Sequence, residues 1–269
     1  MLELTNGEFE RLCVFIKKNY GIDLFKKKTL IESRLNSLIN NHAYDSYTHL
    51  IDDILNNKSS KVTTVLLNKL TTNHTYFMRE KDHFDYLTQV VMPYLKTAIK
   101  DKDLRIWCAG CSSGEEAYTL AILIAEALGT EKNNWERTLL ATDISLNVLG
   151  KAKQGIYSAE SLINMPEEWV KKYFIKIDPF YYRVCDEIKS QVVFRQINLM
   201  DPFQFKKQFD VIFCRNVMIY FDTPTKNKLV NDYYTVTKSG GYLFIGHSET
   251  VAKQDTKYTY IKPAVYRKV

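Results

Sequence analysis

The sequence predicts an α/β fold in which a mainly parallel sheet carries helices on both faces, follows an all-helical N-terminal segment and contains a small antiparallel β insertion. Three observations predict it. Residues 1 to about 95 show only the 3.6-residue apolar period of helices. After Lys100 short apolar runs alternate with helical stretches, the sign of β-α-β units. One connection between two of those runs is far longer than a crossover helix needs.

Taken in order, the first helix opens where Thr5 and Glu8 have capping-box spacing. It runs through Phe9, Leu12, Cys13, Ile16 and Tyr20 on one face and stops at Gly21. Ile31, Leu35, Leu38 and Ile39 mark a second helix, Leu50, Ile51, Ile54 and Leu55 a third, and Val62, Val65, Leu66 and Leu70 a fourth. A fifth over Lys81 to Met92 is expected to end near Pro93, which has no N–H with which to continue the ladder. The strand candidates are LRIWCAG (104–110), TLLATDI (138–144), VVFRQINL (192–199), FDVIFC (209–214) and GYLFIG (241–246), with one or two more in YTYIKPAVYRKV. The long connection, 145–190, ends in YFIKIDPFYYRVCDEIKSQV, read as an antiparallel insertion turning at Asp178 and Pro179. The domain division expected is a helical unit, 1–80, and a sheet unit, 81–269, with the β insertion at about 172–191.

With 269 residues, 45% hydrophobic and 25% charged, the chain has material for a sizeable core. Its five cysteines are odd in number and scattered, which excludes a disulfide framework, and no basic-then-apolar leader opens the sequence. No run approaches the roughly 18 apolar residues of a membrane span. A cytoplasmic location, with no membrane insertion, is expected. The formal net charge is +6, and the excess concentrates between Arg11 and Arg34, where Arg11, Lys17, Lys18, Lys26, Lys27, Lys28 and Arg34 face only Asp23 and Glu32. That segment is either a solvated helical face or a docking surface.

The strongest local feature is IWCAGCSSGEEAYTLAI, a strand passing through Gly110 to Gly114 into a helix. Small residues let a ligand approach the backbone, and the helix start presents free amides. Glu115 and Glu116 at that start would repel a pyrophosphate, whereas a ligand with ribose hydroxyls and a cationic centre suits them; this favours S-adenosylmethionine over NAD. Asp143 ends the next strand, where doubly wound folds place a ribose-binding carboxylate, although an N-cap would also use an aspartate. Asn198, Leu199 and Asn216 follow the third and fourth strands, again where ligands gather.

At these residues the sequence resembles the CheR-type chemotaxis receptor glutamate methyltransferases. The resemblance runs over nearly the whole chain through LTTNHTYFMRE (70–80), IWCAGCSSGEEAYTLA (106–121), ATDIS, NLMDP, FDVIFCRNVMIYF (209–221) and GGYLFIGHSE (240–249). It implies a class I S-adenosylmethionine-dependent methyltransferase fold with a helical N-terminal domain and a β subdomain. It also implies cofactor contacts at Asn73, Thr75, Arg79, Glu116, Asp143, Asn198, Leu199, Arg215 and Asn216, with Arg79 and Tyr220 beside the reacting centre. The reaction implied is methyl transfer to receptor glutamates, leaving S-adenosylhomocysteine, and the implied partner is the receptors' cytoplasmic helical region. Some family members grip a receptor's C-terminal peptide with a glycine-containing loop of the β subdomain. Here the turn reads KIDPFYYR, so no tail tether is expected.

A glutamate of reference pKa about 4.3 is ionised at neutral pH, so no catalytic His or Cys is needed. Cys108 and Cys111 have C-x-x-C spacing but no second Cys or His pair completes a metal site, and no metal is expected. His42, His49 and His83 read as helix-surface residues and His247 as a structural hydrogen-bonder at the end of a strand. A nucleic-acid methyltransferase would carry an Asn/Asp-Pro-Pro-aromatic turn where this chain has Arg215-Asn216-Val217-Met218, so no nucleic-acid partner is expected. A catalytically silent S-adenosylmethionine-binding signalling module is the other alternative, opposed by the retention of Arg79 and Tyr220. On the second helix Lys27 and Arg34 lie two turns apart on one side, with Lys26 and Lys28 adjacent, a face suited to a glutamate-rich receptor helix.

Overall fold

The capping box forms as its spacing requires. In the computed structural model, which describes residues 3–42, 44–57, 61–70 and 74–269, the Thr5 hydroxyl accepts from the Glu8 N–H (3.3 Å) and the Glu8 carboxylate from the Thr5 N–H (3.0 Å). Helix α1 (Asn6–Tyr20) starts there, buries Phe9, Leu12, Cys13 and Ile16, and stops at Gly21, whose φ of 73° lets its N–H reach the Lys17 carbonyl. Helices α2 (Lys28–His42), α3 (Tyr47–Asn56) and α4 (Lys61–Leu70) follow. Their expected stripes are buried at Ile31, Leu35, Leu38, Leu50, Ile51, Ile54 and Leu66.

Pro93 does not end the next helix. The chain runs from α5 (Lys81–Tyr86) through a π turn (Leu87–Val91) into α6 (Met92–Ala98). The Met92 N–H bonds back to the Leu87 carbonyl, and Pro93 falls in the first turn of α6, where a missing N–H leaves no ladder bond unmade.

The sheet unit alternates β1 (Ile106–Ala109), α7 (Glu115–Leu128), β2 (Leu139–Asp143), α8 (Leu146–Gln154), β3 (Ile156–Ser158), α9 (Glu167–Tyr173), β4 (Phe174–Lys176), β5 (Tyr181–Val184), α10 (Asp186–Lys189), β6 (Val192–Gln196), β7 (Phe209–Cys214), α11 (Thr223–Val236), β8 (Thr237–Ile245), β9 (Thr259–Lys262) and β10 (Val265–Arg267). The large sheet has the order β6-β2-β1-β7-β8-β10-β9; β10 runs antiparallel to β8 and β9, and the first five are parallel. This is the doubly wound class I methyltransferase architecture, and the chain's direction across the sheet reverses between β1 and β7. In the small antiparallel sheet, β3-β5-β4, the Asp178 carboxylate accepts from the Phe180 and Tyr181 N–H groups (2.7 and 2.8 Å) at the expected turn. That sheet also takes in Ile156–Ser158, upstream of the 172–191 stretch, because Tyr157 pairs with Tyr182 just after the Gly155 stop of α8.

Alternating residues of the central strands feed two buried layers. Ile106, Cys108, Val211, Phe213 and Phe244 pack with Phe77, Phe84 and α7, whereas Trp107, Ala109, Ile212 and Leu243 pack in one continuous layer with Leu12, Leu35 and Ile51 of the N-terminal helices. The helical unit is thereby seated at the carboxyl ends of the strands. No helix among the described residues is long and apolar enough to cross a membrane.

Candidate active site

Beyond β1 the chain turns on Gly110 (φ 89°), and the N–H groups of Gly110 and Cys111 both donate to the Thr142 carbonyl at 2.7 and 2.8 Å. A Cβ on Gly110 would sit 2.2 Å from Cγ2 of Val217, so only glycine fits between the two loops. The turn aims the Ser112 N–H at Oδ2 of Asp143 (2.9 Å), while the Ser145 N–H holds Oδ1 (2.9 Å). Burial pushes the Asp143 carboxyl above its ordinary range against those backbone bonds.

Of the two glutamates that open α7, only Glu116 faces the cavity. Glu115 is buried and accepts from the Ser113 hydroxyl (2.8 and 3.0 Å), which corrects the expectation that both shape the ligand's surroundings. Glu116 accepts from the Cys108 thiol at 3.1 Å and from Nη1 of Arg215 at 2.6 Å. The Arg215 side chain, 1% exposed, also donates to Oε2 of Glu80 from Nε (3.3 Å) and Nη2 (3.2 Å), and to the Arg79 carbonyl. It braces the wall of the cavity that it lines.

Glu80 and Glu249 do not stand out in the sequence, yet they organise this wall. Glu80 (φ 55°) caps α5 and accepts from Arg215, from Nδ2 of Asn216 (3.2 Å) and from the His247 N–H (3.3 Å). Burial raises its pKa, but the Arg215 charge and these hydrogen bonds outweigh that, and the carboxyl stays below its ordinary range. Glu249 is buried on the N–H groups of Gly246 (2.6 Å), Asn216 (3.1 Å) and Ile219 (3.2 Å). Both close motifs that the resemblance covers, MRE and GHSE, and that is the one sequence signal for them.

A single cavity collects Thr75, Arg79, Glu116, Asp143, Asn198, Leu199, Arg215, Asn216 and Tyr220; Asn73 lies outside the described residues. The Asn198 amide is committed within the protein, donating to the Asn19 carbonyl (2.7 Å) and accepting from the Met200 N–H (3.1 Å). Arg79 donates to the His74 carbonyl (2.8 Å), with its guanidinium 5.9 Å from the Tyr76 ring centre. Tyr20 and Ile22 of the helical unit complete the rim. There Ile22 bridges Phe221, the Asp23 N–H donates to the Tyr220 carbonyl (2.9 Å), and the Lys27 ammonium stands 5.7 Å from the Tyr220 ring centre. Of the basic residues expected to dock substrate, Lys26 and Lys27 are exposed, Arg34 is half-buried two turns on, and Lys28 donates to the Asn6 side chain (2.7 Å); none lines the cavity.

His83 corrects the sequence reading, since it is fully buried. Its ring meets those of His247 (centroids 4.5 Å) and Phe244 (5.8 Å). Burial, reinforced by the Arg215 charge, pushes its pKa down to about 4. His49 is exposed as expected, the His42 side chain lies outside the described residues, and His247 meets the Asp82 carboxylate at 3.1 Å. Glu80, His83 and His247 bring ligand-type atoms within 4.8 Å of one another. Oε2 of Glu80 serves Arg215 and the His247 N–H and stands 3.4 Å from Nδ1 of His83, whose two buried ring nitrogens have no hydrogen-bond partner among the described residues. Cys108 and Cys111 are free, buried thiols with pKa values raised by burial.

The residues present fit a nucleoside carrying a cationic group. Asp143 is oriented and acidic, the Gly110 turn is closed to any side chain, and Ile144, Ile197, Leu199 and Val217 offer apolar surface. Residues 73–266 match the family model described as "CheR methyltransferase, SAM binding domain", and residues 7–71 match "CheR methyltransferase, all-alpha domain". The chain is 42% identical to a chemotaxis protein methyltransferase of Borreliella burgdorferi, over 99% of this chain and 96% of that protein. It is 34% identical to chemotaxis protein methyltransferase 1 of Pseudomonas aeruginosa (97% and 96% covered) and 33% identical to the chemotaxis protein methyltransferase of Escherichia coli (98% and 92% covered).

Proposed function

We propose, since this chain belongs to the CheR methyltransferase family, that it transfers a methyl group from S-adenosylmethionine to glutamate side chains of chemotaxis receptors, forming glutamyl methyl esters. The observation that carries the reading is one cavity whose floor holds an oriented Asp143 and Glu116 and whose rim holds Arg79, Tyr220 and, just outside, Lys27.

S-adenosylmethionine supplies a methyl group on a cationic sulfur. Asp143, with one backbone N–H on each oxygen, keeps acceptor capacity for ribose hydroxyls, and Glu116 faces the cavity with its charge shared by Arg215. The substrate carboxylate, with a reference pKa of about 4.3, needs no base from this chain. What it needs is alignment. Arg79 offers a planar donor fork once it leaves the His74 carbonyl, and the Tyr220 hydroxyl adds a further donor. A cavity that excludes water favours a transfer in which opposite charges disappear together.

The partner fits as well. The cytoplasmic helical region of a receptor presents rows of glutamates, and Lys27 stands beside the cavity residue Tyr220, next in sequence to Lys26 and Lys28 and ahead of Arg34 on α2. The turn at Asp178 and Pro179 carries no glycine, which supports recognition of the receptor body rather than of its C-terminal peptide. The test is transfer of labelled methyl from S-adenosylmethionine onto receptor-containing membranes. Base-labile label is expected, and label that resists mild base, or none, removes the assignment.

A further inference from the structure

Glu249 is 3% exposed, and among the described residues no salt bridge reaches it. A buried carboxylate held by backbone donors alone is costly to retain, so what those donors do is informative. The Asn216 and Ile219 N–H groups belong to the turn that leaves β7, and the Gly246 N–H ends β8. One side chain therefore gathers the turn that delivers Tyr220, the residue after Ile219, and holds Asn216 in the left-handed region at φ 58°. Glu80 grips the Asn216 side chain from elsewhere in the wall, so backbone and side chain of this residue are fixed independently. The packing is close: a Cβ on Gly246 would stand 2.6 Å from Nδ2 and 2.8 Å from N of Asn216, and 3.0 Å from Oε2 of Glu249. Glu249 itself does not line the cavity.

We propose that Glu249 is a positioning residue for methyl transfer, setting the Asn216–Tyr220 turn so that the Tyr220 hydroxyl meets the substrate carboxylate. The proposal rests on the role given to Tyr220 above. An amide in place of the carboxylate turns one acceptor into a donor that faces a backbone N–H, so the Ile219–Tyr220 end of the turn must shift while Glu80 still holds the Asn216 side chain at the cavity wall.

The experiment measures kcat, receptor KM and S-adenosylhomocysteine affinity in the full chain for Tyr220→Phe, Glu249→Gln, Glu249→Asp and the Glu249→Gln/Tyr220→Phe double variant. Glu249→Gln should lower kcat about 10- to 100-fold, the cost of a misplacement near 1 Å. Affinity for S-adenosylhomocysteine should stay within about threefold. Glu249→Asp, which keeps the charge and draws the carboxylate back from the Ile219 N–H, should give the same split with a smaller loss of kcat, which keeps the test open if Glu249→Gln folds poorly. In the Tyr220→Phe background Glu249→Gln should cost less than about threefold further, because both act on one contact. If Tyr220→Phe is impaired and the two losses multiply in full, the proposal fails and the Tyr220 role stands. A Tyr220→Phe variant with the parent's kcat overturns both. Equal losses of kcat and product affinity in Glu249→Gln would make it a cofactor-site support instead.

Discussion

On the floor of the cavity each ionic group is answered from several parts of the chain. Arg215 joins Glu116 of α7 to Glu80 ahead of α5, Glu80 reaches on to β8 through the His247 N–H, and Asp143 is held by two loops. At the rim, where residues 17–27 meet residues 220–222, the ties include the bridge from Ile22 to Phe221, made through the Asp23 N–H and the Tyr220 carbonyl, and the Lys17–Asp222 pair at 2.7 Å, with side chains 36% and 24% exposed. A buried network fixes geometry before any ligand arrives, whereas partly exposed pairs are weak and yield to salt. The difference suits the two ligands. A cofactor presents the same atoms at every turnover, whereas a protein substrate must dock and leave as a macromolecule.

The comparison breaks most visibly at Arg215. Removing its charge strands Glu80 and Glu116 in a buried wall, so Arg215→Met should lose about 3–5 kcal/mol of stability in urea denaturation. A loss below about 1 kcal/mol would mean the floor is held by other contacts. Next, Asp143→Ala should weaken S-adenosylmethionine and S-adenosylhomocysteine alike by about 100-fold, near 3 kcal/mol. Calorimetry giving parental affinity in a folded variant would take Asp143 out of the site.

A smaller effect tests the burial of the floor. His83 stays neutral in the folded protein down to about pH 4, whereas the unfolded chain protonates it below about 6.5. Between those values the unfolded state binds more protons, so the contribution is destabilising and grows as pH falls from 6.5 towards 4. Between pH 7 and pH 5 the parent should lose about 2 kcal/mol more than His83→Gln. Identical pH dependence in the two proteins would place the imidazole in water. The smallest effect belongs to the rim: Lys27→Glu with Arg34→Glu should raise receptor KM about threefold to tenfold at low ionic strength, converging with the parent in salt, while cofactor affinity holds. A KM indifferent to both the substitutions and salt would move the docking face elsewhere.

The strands were legible because each is a short apolar run closed by small or polar residues, and the cavity-lining positions Asp143, Asn198, Leu199, Arg215 and Asn216 because their motifs follow strand ends. Three features were not legible, each for a physical reason. Ile156–Ser158 is too short to show a period, and its pairing with Tyr181–Val184 arises only after folding. The π turn lets a helix pass Pro93, which local propensity forbids. Apart from the Gly246 N–H, three positions from Glu249, the bonds of Glu80 and Glu249 that organise the wall reach residues 30 to 167 positions away, and such bonds leave no periodic trace along the chain.

The bond from the Asn198 side chain to the Asn19 carbonyl, with Tyr20 and Ile22 in the cavity lining, means that the helical unit forms part of the wall of the cavity proposed for the cofactor. Ligands on the two units then share one free-energy cycle. Whatever factor a docked receptor helix applies to cofactor affinity through that wall, the cofactor returns to the receptor unchanged. Product release and receptor release are to that extent one coupled event.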